Sequence, residues 1–360
     1  MYVEWNLQLQ QSLGANSMVS FNYVGNHGYN MFTNSVWANS SAPIPNIAGG
    51  CTGTPPPQAL FNTCVPFVGL PALRPDLRVN NVSNLTNDGI ANYNGFTASF
   101  TQRATKGLTF SLNYTYSHTS DMVSNGGTGE YYSANDSIIG LVNPVCLHCN
   151  YSNSDYDVRH NISANYVWQL PFKFSNKMVE TIAGGWQISG TIFWRQGLPF
   201  SVIDNGVPGG TNSIRNSVNG FGMFLATPTG ILQTNCGNSA SNTYRTGNSS
   251  PCLSTSSFLG SRAESQFQGI RNIFRGPGYF NSDFSVLKNF RLTERYVFAL
   301  GANMYNVLNH PNFGNPVGDI QSGQFGQIIN TNVPPTSPYG AFVGSAVSGR
   351  QIQVTARFTF

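Results

Sequence analysis

Apolar and polar residues alternate with a period of two along several segments of the chain. Within Gly107–His118, the even positions from 108 to 116 are apolar and the odd positions are polar. The same alternation covers 157–170, 186–195 and 350–360. Because successive side chains of a β-strand point to opposite faces, each segment is predicted to form a strand with one apolar and one polar face.

Weaker forms of the pattern bring the number of predicted strands to nine. They cover 3–13, 17–25, 93–104, 280–292 and 295–308. Most of the nine are longer than the ~5–6 residues of an average strand in a soluble protein. A strand that crosses a membrane at a tilt needs about 9–11 residues, so these lengths favour membrane-spanning strands.

The connections between the predicted strands are short on one side and long on the other. The short ones are Gly14–Asn16, Thr105–Gly107, Thr293–Glu294 and the more modest Pro171–Gly185, and the long ones are 26–92, 121–156, 197–279 and 309–349. Short periplasmic turns and long extracellular loops are typical of an antiparallel outer-membrane β-barrel. A soluble β-sandwich with one wet face shows the same alternation and is the alternative fold.

Nine strands do not make a complete barrel of this kind, because bacterial single-chain barrels have an even number. A further strand within 26–92 or 197–279 would restore an even number. The first residues, MYVEWNLQLQQSL, contain neither the basic nor the apolar region of a signal peptide. We therefore expect residues 1–360 to form part of a larger barrel, without a signal peptide, plug domain or TonB box in this chain.

Composition excludes several other classes of protein. Charged residues make up 9% of the chain, against roughly 25% in ordinary soluble domains. Aromatic residues reach 13%, which argues against disorder. No apolar run approaches the ~18 residues of a transmembrane helix. The net charge of +4, without a Lys/Arg cluster, predicts no nucleic-acid partner.

The few charges on the strands fall mainly on the polar register, which faces the lumen of a membrane barrel. Five arginines share it: Arg103, Arg159, Arg195, Arg291 and Arg357. Asp157 and Arg159 are predicted near the extracellular rim, where they either contact a charged solute or form a partly solvated ion pair. Arg103, Arg291 and Arg357 are predicted near the periplasmic ends, where they either dock a plug or simply line a polar wall.

Three residues near the short-turn side bear on the position of the membrane interface. Trp168 and Trp186 flank the 171–185 connection, where an aromatic girdle is expected. Lys288 breaks the pattern because it lies on the apolar register of its strand. This position requires either a bulge or a location near the interface.

The six cysteines form three local pairs within loop-like segments: Cys51 and Cys64, Cys146 and Cys149, and Cys236 and Cys252. An even number of loop cysteines suits disulfides in an oxidising compartment, although six cysteines allow 15 connectivities. Cys146, His148 and Cys149 are also weak candidates for a metal site, but a structural zinc site needs four ligands. No cofactor is expected.

Several blocks of the sequence resemble the β-barrel of TonB-dependent receptors of the Oar-like, carboxypeptidase-regulatory-repeat-bearing subgroup. The blocks are EWNLQLQQSLGANSMVSFNYVGNHG near the start, 92–121, 154–172, 184–202 and FRGPGYFNSDFSVLKNFRLTERYVFALGANMYNVLNHPNFGNP at 274–316. The resemblance implies a 22-stranded barrel with a plug that couples to TonB, and it leaves the substrate open.

The expected function is therefore uptake of a solute across the bacterial outer membrane, with outer-membrane lipid, a plug domain and the TonB complex as partners. The alternatives are a surface adhesion barrel that does not transport, and a truncated receptor fragment. No nucleophile, phosphate-binding or paired-carboxylate motif is present in the sequence, so no enzymatic activity is expected.

Overall fold

The structure is a computed structural model that describes residues 1–35, 76–79, 84–124, 147–204, 224–226, 253, 255–258, 271–291, 293, 295–320, 322–329, 331 and 349–360. The strands are β1 (Tyr2–Ser12), β2 (Ser17–Ser35), β3 (Asn84–Thr105), β4 (Leu108–Asp121), β5 (Ser152–Asn153), β6 (His160–Gln169), β7 (Trp186–Arg195), β8 (Pro199–Phe200), β9 (Ile203–Asp204), β10 (Phe224–Leu225), β11 (Phe274–Arg275), β12 (Tyr279–Arg291), β13 (Val297–Tyr305) and β14 (Gln351–Thr359). One α-helix, α1 (Lys177–Ala183), and two 3-10 turns, Leu147–Asn150 and Thr255–Ser257, complete the described elements. No helix in these ranges has the length and hydropathy to span a membrane.

The nine predicted strands are confirmed as one continuous antiparallel sheet. Within the described ranges, the long strands follow each other in the order β1-β2-β3-β4-β6-β7-β12-β13-β14, and β5 adds a short pairing to β4. Two small sheets, β9 with β10 and β8 with β11, lie in the long connections. Each long strand therefore pairs with its neighbours in sequence, as in a meandering barrel wall.

The sheet is open in the described structure, with β1 and β14 as its two edges. Met1, at the start of β1, lies at the end of the sheet with the long connections, where its amino group donates to the Tyr29 carbonyl at 2.6 Å. β14 also begins at that end, because Gln351 is paired with Tyr305 at the end of β13. Both edges consequently run from the long-loop end to the short-turn end.

For most pairs, the strand register places polar residues opposite polar residues and apolar residues opposite apolar ones. Thr97 of β3 lies opposite Thr115 of β4, which in turn lies opposite Asn161 of β6. The adjacent row joins Phe96 to Tyr116. Because directly opposed residues share a face, the alternation seen in the sequence becomes one polar and one apolar face across the whole sheet.

No described part of the chain packs over much of the apolar face. Its large side chains are exposed along strands across the sheet, including Trp5, Leu7, Leu9, Phe21, Phe96, Leu112, Ile192, Leu300, Ile352, Val354 and Phe358. Aromatic rings pair across strands on this face, with Phe21 and Phe96 centroids 6.0 Å apart. In a membrane barrel such a face contacts hydrocarbon.

Three details differ from the sequence prediction. β2 continues to Ser35 and β3 begins at Asn84, so this hairpin extends well beyond the predicted 17–25 and 93–104. Register shifts around Met31 let it continue, as β-bulges do. The 171–185 connection, predicted as a turn of modest length, contains α1, which begins after the Asn176 cap and ends before the Gly184 cap.

The hydrophobic core lies in the long connections rather than between layers of the sheet. Its members are Phe200, Val202, Ala226, Leu253, Phe258, Phe274 and Phe325. The rings of Phe200 and Phe274 stack at 5.6 Å, across the short β8–β11 pairing. The described parts of the long connections thus pack together at the extracellular end of the wall.

Candidate functional site

A recess of about 740 Å³ lies on the polar face, at the extracellular end of the sheet. Its lining comes from β1 to β4, β6, β7 and the segments that enter and leave them: Tyr2, Asn26, Gly28, Met31, Ala91, Asn92, Tyr93, Thr97, Thr115, Ser117, Thr119, Tyr156, Val158, Asn161, Arg195 and Leu198. The alternation of the strands explains this lining, because Thr97, Thr115 and Asn161 belong to the same polar register.

The recess presents mostly uncharged hydrogen-bonding groups. Amide side chains, hydroxyls and three tyrosines dominate, and Arg195 is the one charged side chain among its described lining residues. The Arg195 guanidinium is buried and lies 5.4 Å from the centre of the Tyr279 ring. Such a lining can hydrogen-bond a polar solute and offers aromatic faces to its apolar parts.

Beside Arg195, the wall contains buried oxygen atoms that have no hydrogen-bond partner among the described residues. The Asn161 Oδ1, Tyr279 hydroxyl and Asn281 Oδ1 atoms are all in this state. Asn161 and Tyr279 lie directly opposite Arg195 on its two neighbouring strands. An unsatisfied buried polar atom costs about 1–3 kcal/mol, so these atoms favour hydrogen bonds from water or a solute in the lumen.

Above the recess lies a rim network of ionisable side chains, of which Asp121, Asp157 and Arg271 are buried. Its members are His118, Asp121, Asp155, Asp157, Arg159, Arg271 and Arg275. Asp157 is the central residue in the part of the network nearer the recess, and it is fully buried. Its carboxylate accepts from the Thr119 N–H at 2.7 Å and from Arg159 Nε at 2.9 Å, and it also pairs with Arg275. Burial alone would raise the pKa of Asp157, but the Thr119 N–H and both arginines together hold that pKa below its ordinary value.

Arg271 is the upper centre of the rim network, with a side chain 3% exposed. It pairs with Asp121 at the end of β4 and donates to Asp155 at 3.3 Å and to the Ser124 hydroxyl at 3.3 Å. Burial raises the pKa of the Asp155 carboxyl, while Arg271 and Asn272 act in the opposite direction. A single guanidinium thereby joins the 121–124 and 154–157 segments to the chain that enters β12.

Asn272 and Arg275 extend this connection to the segment after β7. Asn272 Nδ2 donates to the Asn153 carbonyl at 2.9 Å, and its backbone N–H donates to the Ser201 hydroxyl at 2.9 Å. Arg275 donates to the Asp157 carbonyl at 2.7 Å and to the Gly197 carbonyl at 3.3 Å. The rim network therefore holds together the connections that cover the recess.

Gly197 permits the closest approach in this region, and its replacement by alanine is expected to open it. A Cβ at Gly197 would overlap the carbonyl oxygen of Gly276, so the backbones before β8 and after β11 would have to separate. We expect a loss of about 1–3 kcal/mol in local stability, measured as faster amide hydrogen exchange at Phe200 and Phe274. Gly323→Ala is the control, because a Cβ there meets nothing within 4 Å. Equal exchange in the two variants would contradict this expectation.

The predicted candidate residues are found at two ends of the wall. Arg195 lies in the recess, and Asp157 and Arg159 contact each other in the rim network. In this ion pair the Asp157 side chain is fully buried and the Arg159 side chain is 29% exposed. Arg103, Arg291 and Arg357 lie at the short-turn end, far from the recess along their strands: Arg103 beside the β3–β4 turn, Arg291 opposite Val297 and Arg357 opposite Ala299.

The cysteine predictions lie almost entirely outside the described residues. Cys51, Cys64, Cys146, Cys236 and Cys252 fall there, and only the backbone of Cys149 is described, within the 3-10 turn Leu147–Asn150. His148 in the same turn is exposed. The disulfide and metal hypotheses thus remain predictions.

Sequence reasoning missed Arg271, Arg275, Asp121 and Asp155, which the structure brings together with Asp157. The sequence feature that could have indicated them is the small number of charged residues in the chain. In a chain with 18 lysines and arginines among 360 residues, two arginines four positions apart immediately before a strand are notable. Their acidic partners could not be identified from spacing, because Arg271 and Asp121 are separated by 150 positions.

A model of a protein family described as "Outer membrane beta barrel domain" matches residues 1–353. The chain is also similar to solved structures of outer-membrane proteins. For the outer membrane transporter YddB from Escherichia coli, identity is 11% and the TM-score 0.46, and the match covers 99% of this chain and 32% of that one. For FpvA of P. aeruginosa bound to a heterologous pyoverdine and iron, identity is 11% and the TM-score 0.38, and the match covers 91% of this chain and 26% of that one.

A third similar structure is the closed form of the ferric-catecholate import receptor Fiu from E. coli, with 9% identity, a TM-score of 0.24 and coverage of 84% of this chain and 32% of that one. The chain thus spans about a third or less of the length of these structures. A comparison with curated proteins gave no match.

Proposed function

Because this chain belongs to the outer membrane beta barrel domain family, and is therefore a protein of the bacterial outer membrane, we propose that it forms the solute-binding wall of a TonB-dependent uptake receptor. Family membership also removes the soluble β-sandwich alternative. The sequence blocks at 92–121 and 274–316 favour the Oar-like subgroup, with a plug domain and the TonB complex as partners in transport.

The observation that carries the proposal is the recess on the lumen face. It lies at the extracellular end, where a solute would arrive, and the rim network fixes the segments above it. Its lining has no carboxylate among the described residues and a single buried arginine. The unpartnered oxygen of Asn161, which lines the recess, would accept a hydrogen bond from a hydroxyl group.

This chemistry favours an uncharged, hydroxyl-rich solute such as a short neutral oligosaccharide. Hydroxyl groups can satisfy amide and tyrosine oxygens, and sugar C–H faces can pack on the tyrosine rings that line the recess. A polyanion would find one guanidinium here, and a polycation would find no carboxylate partner among the described lining residues. Solute binding would therefore depend on hydrogen bonds and stacking rather than ion pairing.

Saturation-transfer NMR on the full chain in phospholipid vesicles tests binding, with maltodextrins and xylodextrins as neutral probes and oligogalacturonate as the acidic probe. We expect transfer to a neutral probe and its loss in Asn161→Leu, which removes a hydrogen-bonding group of the recess. Asn165→Leu is the matched control, because Asn165 shares the strand and face but does not line the recess. Absence of transfer to every probe would overturn the recess as a solute site.

Transport is distinguished from adhesion by energy dependence. Cells that carry the protein in their outer membrane should accumulate a radiolabelled form of the probe that binds, and accumulation should stop in a strain without TonB. Binding without TonB-dependent accumulation would instead support the adhesion function.

A further inference from the structure

The connection between β6 and β7 exposes apolar side chains at the periplasmic end of the wall. Met178 is 79% exposed and Ile182 is 72% exposed, one turn apart on α1. Val179 on the helix, and Phe172 and Phe174 before it, are also exposed. Five large apolar side chains within eleven residues form a patch that water solvates poorly.

Residues of the lipid-facing register fasten the end of α1. Trp186 Nε1 donates to the Ile182 carbonyl at 3.1 Å, and Lys288 Nζ donates to the carbonyl of Gly184, the residue that caps the helix. Trp186 and Lys288 lie directly opposite each other on β7 and β12, on the row that carries the apolar side chains. The C-terminal end of α1 is therefore attached to the side of the sheet that faces hydrocarbon.

This attachment explains the exceptional position of Lys288. The strand pairs regularly on both sides of it, with Trp186 and Leu300, so no bulge is involved. Its ammonium group is buried, 5.5 Å from the Trp186 ring and 5.2 Å from the Phe290 ring. The carbonyl groups at the end of a helix carry partial negative charge, and together with the aromatic faces they stabilise a cation that would otherwise meet lipid.

The exposed patch is continuous with the lipid-facing surface of the sheet. Trp168, at the end of β6, is exposed on the lipid-facing register, and the chain passes from it through Phe172 and Phe174 into α1. Short amphipathic helices at a membrane interface bury their apolar face by about 5–10 Å at the boundary between headgroups and acyl chains. Lys173, exposed between the two phenylalanines, is positioned to meet lipid phosphate.

We propose that Phe172–Ile182 is a membrane anchor that inserts its apolar side chains among the phospholipids of the periplasmic leaflet, and that Trp186 and Lys288 fasten it to the barrel wall. The anchor sets the depth of the wall in the membrane at this position. It is independent of which solute the recess accepts.

Fluorescence quenching in lipid vesicles tests the anchor. An environment-sensitive fluorescent amino acid replaces Met178 in the full chain, which is inserted into phosphatidylethanolamine–phosphatidylglycerol vesicles doped with dibrominated phosphatidylcholine. We expect strong quenching by the brominated lipid and weak quenching by aqueous iodide. The same fluorophore at Arg295, exposed in the β12–β13 turn, should show the reverse. Iodide quenching without bromolipid quenching at position 178 overturns the proposal, and so does protection that appears only after a periplasmic extract is added.

A second measurement tests the role of Lys288 as a fastener. Lys288→Met keeps an unbranched apolar stem but removes the donor to Gly184, so amide exchange across Met178–Ala183 should accelerate about tenfold, as for loss of a hydrogen bond from a charged group. Arg295→Met, which removes an exposed cation from the β12–β13 turn, should leave exchange across Met178–Ala183 unchanged. Unchanged exchange in Lys288→Met would remove Lys288 from the proposal.

Discussion

Replacement of Arg271 by methionine is expected to destabilise the extracellular end of the protein by about 3–5 kcal/mol, the usual cost when one partner of a buried ion pair is removed. Asp121 is 2% exposed and pairs with Arg271, as does Asp155. Methionine fills a similar volume but leaves both carboxylates without their cation. Amide exchange of 121–124 and 271–275 should then accelerate by a factor of about a hundred or more, because each 1.4 kcal/mol corresponds to a factor of ten.

The protein supplies a matched control for this experiment. Arg78 also forms an arginine–aspartate pair, with Nη2 2.8 Å from Asp76 Oδ2, but its side chain is 89% exposed. Water solvates both partners there, so Arg78→Met should produce no measurable change. If Arg271→Met changed exchange no more than Arg78→Met, the rim network would not be what holds the long connections together.

The second large effect concerns the two faces of β7. Ile192→Arg places a charge on the apolar face in mid-strand, between Ala164 and Ser282, and should cost about 2–4 kcal/mol in a bilayer. Thr191→Arg, one residue away, places the same charge on the lumen face opposite Asn165 and Asp283. This variant should retain the stability of the native chain, because water and the Asp283 carboxylate solvate the guanidinium.

Urea-induced unfolding from phospholipid vesicles, followed by tryptophan fluorescence, measures both variants under the same conditions. A larger loss for Thr191→Arg than for Ile192→Arg would mean that the face assignment is reversed. Equal losses would mean that neither face contacts hydrocarbon at this depth.

Most of the wall could be predicted from sequence because its determinants are local. β1 was predicted as 3–13 and is observed as Tyr2–Ser12. Successive side chains of this strand face opposite sides of the sheet, so apolar and polar residue types alternate in its sequence. The same holds for β7, which begins at Trp186 as predicted. The β2–β3 hairpin was predicted too short, because beyond Gly28 the register shifts and the strict alternation on which the prediction depended is lost.

The rim network and α1 could not be predicted in the same way. The contacts of Arg271 depend on how the long connections fold back over the sheet. The alternation of apolar and polar residues predicts strands but not the course of these connections. For α1, the sequence KMVETIA is too short to give a helical pattern. The helix depends on contacts from outside it, with Trp186 and with Lys288, which lies 104 positions beyond Gly184. The anomaly of Lys288 was visible in the sequence, but its helical partner was not.

The direction of the two edge strands limits how copies of this protein can meet. All copies in one outer membrane are inserted with the same side outward, and β1 and β14 both descend from the extracellular to the periplasmic end. Any contact between the edges of two copies would therefore pair two descending strands, giving the slanted and slightly less stable bonds of a parallel ladder. An antiparallel seam needs an ascending strand as its partner, and in the described sheet the ascending strands next to the edges, β2 and β13, are already paired on both sides. Membrane sidedness thus disfavours self-association through these edges and leaves them selective for strands of opposite direction.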